Sequence, residues 1–234
     1  MVLILHNVED PRKPCGGAES PGHYNGALAT SLGFAHQTVT RTQALTNFAQ
    51  TRNGLAIAYE IVFSPPHSWS IMWGLSESDT VQLMEKAYSA AIDRTMKYVE
   101  EQLSYTRRGP NGVRQIDASL LWAQFEHFSD RRERPDRHTH VVIDTTVRGS
   151  DEHWGQLDVR PLRNNAEAGT FQAIFESAIA AHSSQMVGLA FEERAAFEPG
   201  EKTRFEVAGV PDELITNFFG RSVSSWQESD WQVL

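Results

Sequence analysis

His127, His138 and His140 are the residues whose type and spacing are best suited to chemistry. His138-Thr139-His140 opens an apolar run, Val141-Val142-Ile143, that reads as a β-strand. Alternate residues of a strand point to one face, so two imidazoles two positions apart can converge on one ion. His127 closes another apolar stretch, Leu120-Leu121-Trp122-Ala123-Gln124-Phe125, and the polar, Arg-rich segment between the two reads as a loop. Antiparallel pairing across that loop would bring three imidazoles together, a donor set suited to a divalent metal. The bland alternative is two exposed loop histidines and one packed one.

The surrounding elements must position these rings. Leu55 to Phe63 alternates Leu55, Ile57, Tyr59, Ile61 and Phe63 with Ala56, Ala58, Glu60 and Val62, which predicts a strand with one bulky, core-facing side. Glu60 falls on the lighter face, where it is either a solvated carboxylate or one aimed into a site. Ser78 or Asp79 can cap a helix running to about Tyr105, with Val81, Met84, Tyr88, Ile92, Val99 and Leu103 as its apolar stripe. Arg107 to Gly112 stops that helix, and Val113 to Phe125 leads into His127 as one or two strands. Gly149 to Glu152 is a turn, and Trp154 to Val159 a short strand. A second helix covers about Glu167 to Met186, a hairpin turns around Pro199-Gly200, and a short helix starts at Pro211. The first forty residues, rich in Gly, Pro, Asn and Ser, read as largely loop. The fold class is α+β, an antiparallel β-sheet flanked by helices.

Composition narrows the function. The 234 residues, 40% of them hydrophobic, are enough for one sizeable core. No apolar run approaches the ~20 residues that span a bilayer, so a soluble, cytoplasmic protein without a membrane segment is expected. Cys15 is the only cysteine, which leaves any metal to nitrogen and oxygen ligands. A net charge of -9 argues against coating nucleic acid through bulk electrostatics, so DNA binding must be local. There is no Walker-type phosphate loop and no Gly-x-Ser-x-Gly elbow.

From about Tyr24 to Arg221 the chain resembles the relaxase domain of conjugative plasmid transfer, the TrwC/TraI (MobF) type of HUH endonuclease. Phe125-Glu126-His127, Ser129, Arg131, Pro135 and His138-Thr139-His140 follow that family's histidine motif, with His138 eleven positions after His127. Val62-Phe63-Ser64-Pro65-Pro66-His67-Ser68 is similar to its Phe-Ser-Ala-Pro-Lys-Ser stretch. Trp154, Phe205 to Pro211 and Phe219-Gly220-Arg221-Ser222 fit its later segments.

The resemblance implies a relaxase-like domain over residues 1–222, followed by a polar tail over 223–234. It implies metal-dependent cleavage and transesterification of single-stranded DNA at a plasmid transfer origin, in the company of other conjugation proteins. His127, His138 and His140 become ligands of a divalent ion, magnesium or manganese first, with zinc or nickel as alternatives. Imidazole softness alone favours zinc, nickel, iron or manganese over magnesium. Glu60 takes the place of the family's aspartate, as a general base or as a partner that orients a histidine. Arg131, which matches the motif, is the first candidate to hold DNA, in a cationic cluster with Arg132, Arg134, Arg137, Arg107, Arg108 and Arg114.

Three positions depart from the pattern. The lysine becomes His67, the acidic residue after the first histidine becomes Phe128, and the N-terminal tyrosine nucleophile has no counterpart. Tyr24 is the only tyrosine before Tyr59 and aligns with a segment downstream of the family's tyrosines. It reads as an aromatic anchor or a displaced nucleophile. Either the tyrosine segment lies upstream of Met1, or the protein is a catalytically inactive, relaxase-like DNA-binding or regulatory protein. A weaker reading is an unrelated three-histidine metalloenzyme acting on a small substrate.

Overall fold

The structure is a computed structural model that describes residues 2–6, 20–49, 58–130, 132–162, 165–197, 200 and 203–219. The chain opens with β1 (Val2–His6), β2 (Gly22–Asn25), α1 (Ala27–Leu32), β3 (Thr38–Val39) and α2 (Arg41–Ala49). The expected loop over the first forty residues is therefore corrected, since three strands and a helix fall within it. The signals were too short to show as periodicity, because β2, α1 and β3 hold four, six and two residues. A single turn of helix or half a strand acquires its stability from packing rather than propensity.

β4 (Ala58–Phe63) and α3 (His67–Leu75) follow, then α4 (Ser78–Tyr98), which runs on as a π-helical turn over Val99–Leu103. Glu77, not Ser78 or Asp79, occupies the N-cap of α4, without a side-chain cap bond. The stripe is core as expected, with Met84, Tyr88, Ile92, Val99 and Leu103 buried. Next come β5 (Tyr105–Arg108), β6 (Arg114–Ser119), β7 (Trp122–Ser129), β8 (Pro135–Asp144), β9 (Thr146–Gly149) and β10 (Trp154–Gln156). The chain continues through α5 (Asn165–Val187), β11 (Phe191–Arg194), β12 (Arg204–Val207) and α6 (Asp212–Phe219). Pro199 and the polar tail lie outside the described residues, as do residues 55–57 of the strand expected from Leu55.

The main sheet has the order β1-β4-β8-β7-β2-β3, with every neighbouring pair antiparallel. Its face bearing Ile61, Phe63, Trp122, Val141 and Ile143 packs in one cluster with residues of α3, α4 and α5. The opposite face, with Ala58, Ala123, Phe125 and Val142, packs with α1 and α2 through Leu28, Ala44 and Phe48. Both faces of β4 are therefore buried, where the alternation predicted one bulky core side and one light side. The small residues of the light side make room for helices. Gly22 lets β2 pass close to β7, since a Cβ there would lie 2.0 Å from the Gln124 carbonyl oxygen. A smaller sheet, β10-β9-β6-β5, and the β11–β12 hairpin complete the α+β architecture. Among the described residues, no helix is long and apolar enough to cross a membrane.

Candidate metal centre

β7 and β8 pair with His127 opposite His138 and Phe125 opposite His140. Directly opposed residues carry Cβ atoms about 4.5–5.5 Å apart, and diagonal neighbours lie within reach of long side chains. The register thus places three imidazoles on two adjacent rungs of one face. Their ring centroids are 4.9 Å (His127 to His138), 4.7 Å (His127 to His140) and 5.2 Å (His138 to His140) apart. All three rings are buried, and one nitrogen of each lies within 4.8 Å of the others.

The hydrogen bonds behind the rings decide which nitrogens face inward. His138 Nδ1 lies 2.9 Å from the Asp136 carbonyl oxygen. A carbonyl can only accept, so Nδ1 carries the proton and Nε2 keeps its lone pair. His140 Nδ1 contacts Glu60 Oε1, and Arg41 Nη1 sits 2.8 Å from that same oxygen, which favours an ionised Glu60 that accepts from both. In the neutral ring this leaves His140 Nε2 bare as well. Glu60 is only 2% exposed, which removes the solvated-carboxylate reading. It lies opposite Val142, diagonal to His140, a span the longer glutamate side chain covers.

Nε2 of His138 and Nε2 of His140 are both buried without a hydrogen-bond partner. Leaving such an atom unsatisfied costs about 1–3 kcal/mol, so two of them converging beside a third imidazole call for an electrophile. A divalent cation fits this donor set, with three nitrogens and no thiolate. Burial holds His138 down to about 4, assisted by the neighbouring imidazoles and Arg137 and opposed by the Asp136 bond. That ring is neutral, as a ligand must be, well into the acid range.

His67, at the start of α3, stacks on Phe219 of α6 at 4.1 Å between centroids. Burial first, then Arg134 and Arg204, pushes its pKa down to about 4 from the usual 6.5. Between these values the unfolded chain holds the proton and the folded chain does not. The stability this neutral ring contributes is complete above pH 6.5 and is lost as pH falls towards 4. Denaturant midpoints at pH 7 and pH 4.5 should show a loss of up to roughly 3 kcal/mol from this group, and His67→Phe, which keeps the stack, should flatten that part of the profile. An unchanged profile would exclude His67 as its source.

Arg131 lies outside the described residues. Four of the six other arginines of the expected cluster pair with carboxylates within the protein. Arg107 binds Asp158 at 2.6 Å and Arg108 binds Asp151 at 3.0 Å. Arg134 pairs with Asp130 and lies over Phe219. Arg137 is 1% exposed and points to the face opposite the imidazoles, against Glu85 at 2.9 Å and Glu126 at 3.1 Å. Its Nη1 also donates to the carbonyls of His127 and His138, so it fastens the rung that carries them.

Tyr24 shares the histidines' face of the sheet but stands opposite Ala123 on β7, four positions from His127. At ~3.3 Å per strand residue that is roughly 13 Å. Its hydroxyl accepts from Asn47 Nδ2 at 2.9 Å, and burial pushes its pKa up. The ring packs against Phe34 and Phe48, as an anchor does. Arg41 and Asp136 were not singled out from sequence. A cation at the start of α2 carries no spacing signal towards a carboxylate nineteen positions later, and Asp136 acts through its backbone.

Comparison with known proteins supplies a second line. Residues 15–228 match the model of the TrwC relaxase family. The multifunctional conjugation protein TraI of Escherichia coli K12 is 26% identical over 173 residues, 70% of this chain but 9% of that protein's length. The chain therefore spans only a small part of that relative. A structure of the conjugative relaxase TrwC in complex with oriT DNA, metal-bound, superposes with a TM-score of 0.68 at 20% identity, over 85% of this chain and 69% of that one. A copper-bound TrwC complex with oriT DNA gives 0.65 at 22% identity with the same coverage. At such identities the likeness is one of fold.

Proposed function

The chain belongs to the TrwC relaxase family, and from that premise we propose that it binds single-stranded DNA at a plasmid transfer origin and cleaves it by metal-dependent transesterification, in which a tyrosine hydroxyl attacks the scissile phosphate, a 5′-phosphotyrosyl bond forms and the 3′-oxygen leaves as a free hydroxyl. It would act in the cytoplasm beside other conjugation proteins. The observation that carries this reading is the pair of buried, partnerless Nε2 atoms on His138 and His140, beside His127. His127, His138 and His140 would hold the ion, and Glu60 would keep His140 in its ligating tautomer. When bound, the ion would draw charge from a nonbridging phosphate oxygen and orient the phosphate for in-line attack. Magnesium, manganese, zinc and nickel are the candidates, and manganese suits both the imidazole donors and phosphate oxygens. Arg131 remains the proposed DNA contact.

The test is incubation with Mn²⁺ and a single-stranded oligonucleotide spanning the transfer origin of the replicon that encodes the protein. A covalent protein–DNA adduct on a denaturing gel, abolished by chelation, is the expected result. The placement of Tyr24 favours a second reading, a relaxase-like DNA-binding protein without a nicking step. That reading predicts metal-dependent binding of the same strand that Tyr24→Phe leaves unchanged, with no adduct. DNA binding that ignores both metal and His138→Ala would overturn both.

A further inference from the structure

The Glu60 carboxylate is almost fully buried, so water cannot fix its orientation, and its position depends on the groups that donate to it. Two donors share one oxygen, His140 Nδ1 and Arg41 Nη1, the latter at 2.8 Å. Arg41 is itself constrained, because its guanidinium carbon lies 4.9 Å from the centroid of Phe125. Phe125 is the residue directly opposite His140 on β7. The contacts therefore close a ring through four elements, from Arg41 on α2 to Glu60 on β4, His140 on β8, Phe125 on β7 and back to Arg41. A planar guanidinium seated on an aromatic face has little freedom to turn, so it presents its Nη1 to Glu60 in one direction.

We infer that Arg41 is a positioning residue of the metal centre: by holding Glu60 Oε1 in place, it sets the orientation of His140 and hence the affinity of the three-histidine site for a divalent ion. The inference rests on the metal-binding reading above but extends it to a residue on a separate helix that is not itself a ligand. Losing an outer partner of a ligating histidine typically weakens metal affinity by about 10–100-fold. Arg41 acts one bond further out, and Arg41→Met, which keeps the length and the contact with Phe125, should weaken Mn²⁺ or Zn²⁺ binding by about tenfold. Arg41→Lys should recover part of the loss, since it restores a donor without the flat fork.

A double-mutant cycle read by calorimetric titration of the metal-stripped protein tests this directly. If Arg41 works through Glu60, Arg41→Met adds less than about twofold when Glu60→Gln is already present. Wild-type affinity in Arg41→Met, or a full tenfold loss added on top of Glu60→Gln, would overturn the inference while leaving the metal site intact. Failure of the wild-type protein to bind either ion would instead overturn the metal-binding reading from which it starts. Thermal unfolding of the metal-free variants separates an effect on the site from a loss of fold.

Discussion

His138→Ala is expected to remove saturable binding of Mn²⁺ and Zn²⁺ while leaving the metal-free fold in place. His138 supplies one of three nitrogens that lie within 4.8 Å of one another. Its loss should weaken affinity by more than the ~10–100-fold that an outer partner contributes. The metal-free protein loses little, because deletion of the ring also deletes a buried Nε2 that has no partner. Removing that unsatisfied atom recovers about 1–3 kcal/mol, which offsets much of the cavity left behind. Ligand linkage then makes the contrast visible in unfolding: at 100 times the dissociation constant a bound ion stabilises the wild type by ~2.7 kcal/mol and the variant not at all. His140→Ala should be the harsher change, since it also strips a donor from the buried Glu60. Calorimetric titration with thermal unfolding, each with and without metal, measures both quantities. A variant that binds like wild type would refute the ligand assignment.

Much of this centre was legible in the sequence because it is built from local patterns. The two-residue period of a strand puts His138 and His140 on one face, and a short loop returns His127 to the facing rung. The long helix that backs the sheet announces itself through the 3.6-residue recurrence of Met84, Tyr88 and Ile92. What could not be read depends on contacts between distant segments. β2, α1 and β3 are too short for any period to declare them. Glu60 looked equally like a surface carboxylate, because alternation reports which side of a strand a residue takes and not what packs on that side. The arginines show the same limit most clearly. Their clustering near His138 suggested a phosphate-facing patch, yet Arg107, Arg108 and Arg137 each have a carboxylate partner 51, 43 or 52 positions away.

Arg137 gives that pairing its largest measurable consequence, since Arg137→Ala is expected to lower the unfolding free energy by about 3 kcal/mol, the low end of the loss when one partner of a buried ion pair is removed, because Glu85 and Glu126 are 30% and 37% exposed. The guanidinium faces Glu85 and Glu126, donates to the carbonyls of His127 and His138 and to Thr139 Oγ1, and lies over the rings of Tyr88 and Phe128. Truncation would leave two carboxylates without their shared counter-charge and free two carbonyls on the rung that bears the imidazoles. Arg137→Lys should recover only part of the loss, because a single ammonium cannot reproduce a fork that serves two carboxylates and two carbonyls at once. Arg137→Met in a Glu85→Gln, Glu126→Gln background should be milder than Arg137→Ala alone, since removing every charge together avoids the stranded ones. Urea midpoints for the single and triple variants decide between the two roles of Arg137. A surface cation held for DNA would change stability by less than about 0.5 kcal/mol, whereas a clamp beneath the histidine rung would show the full loss and weaken metal binding with it.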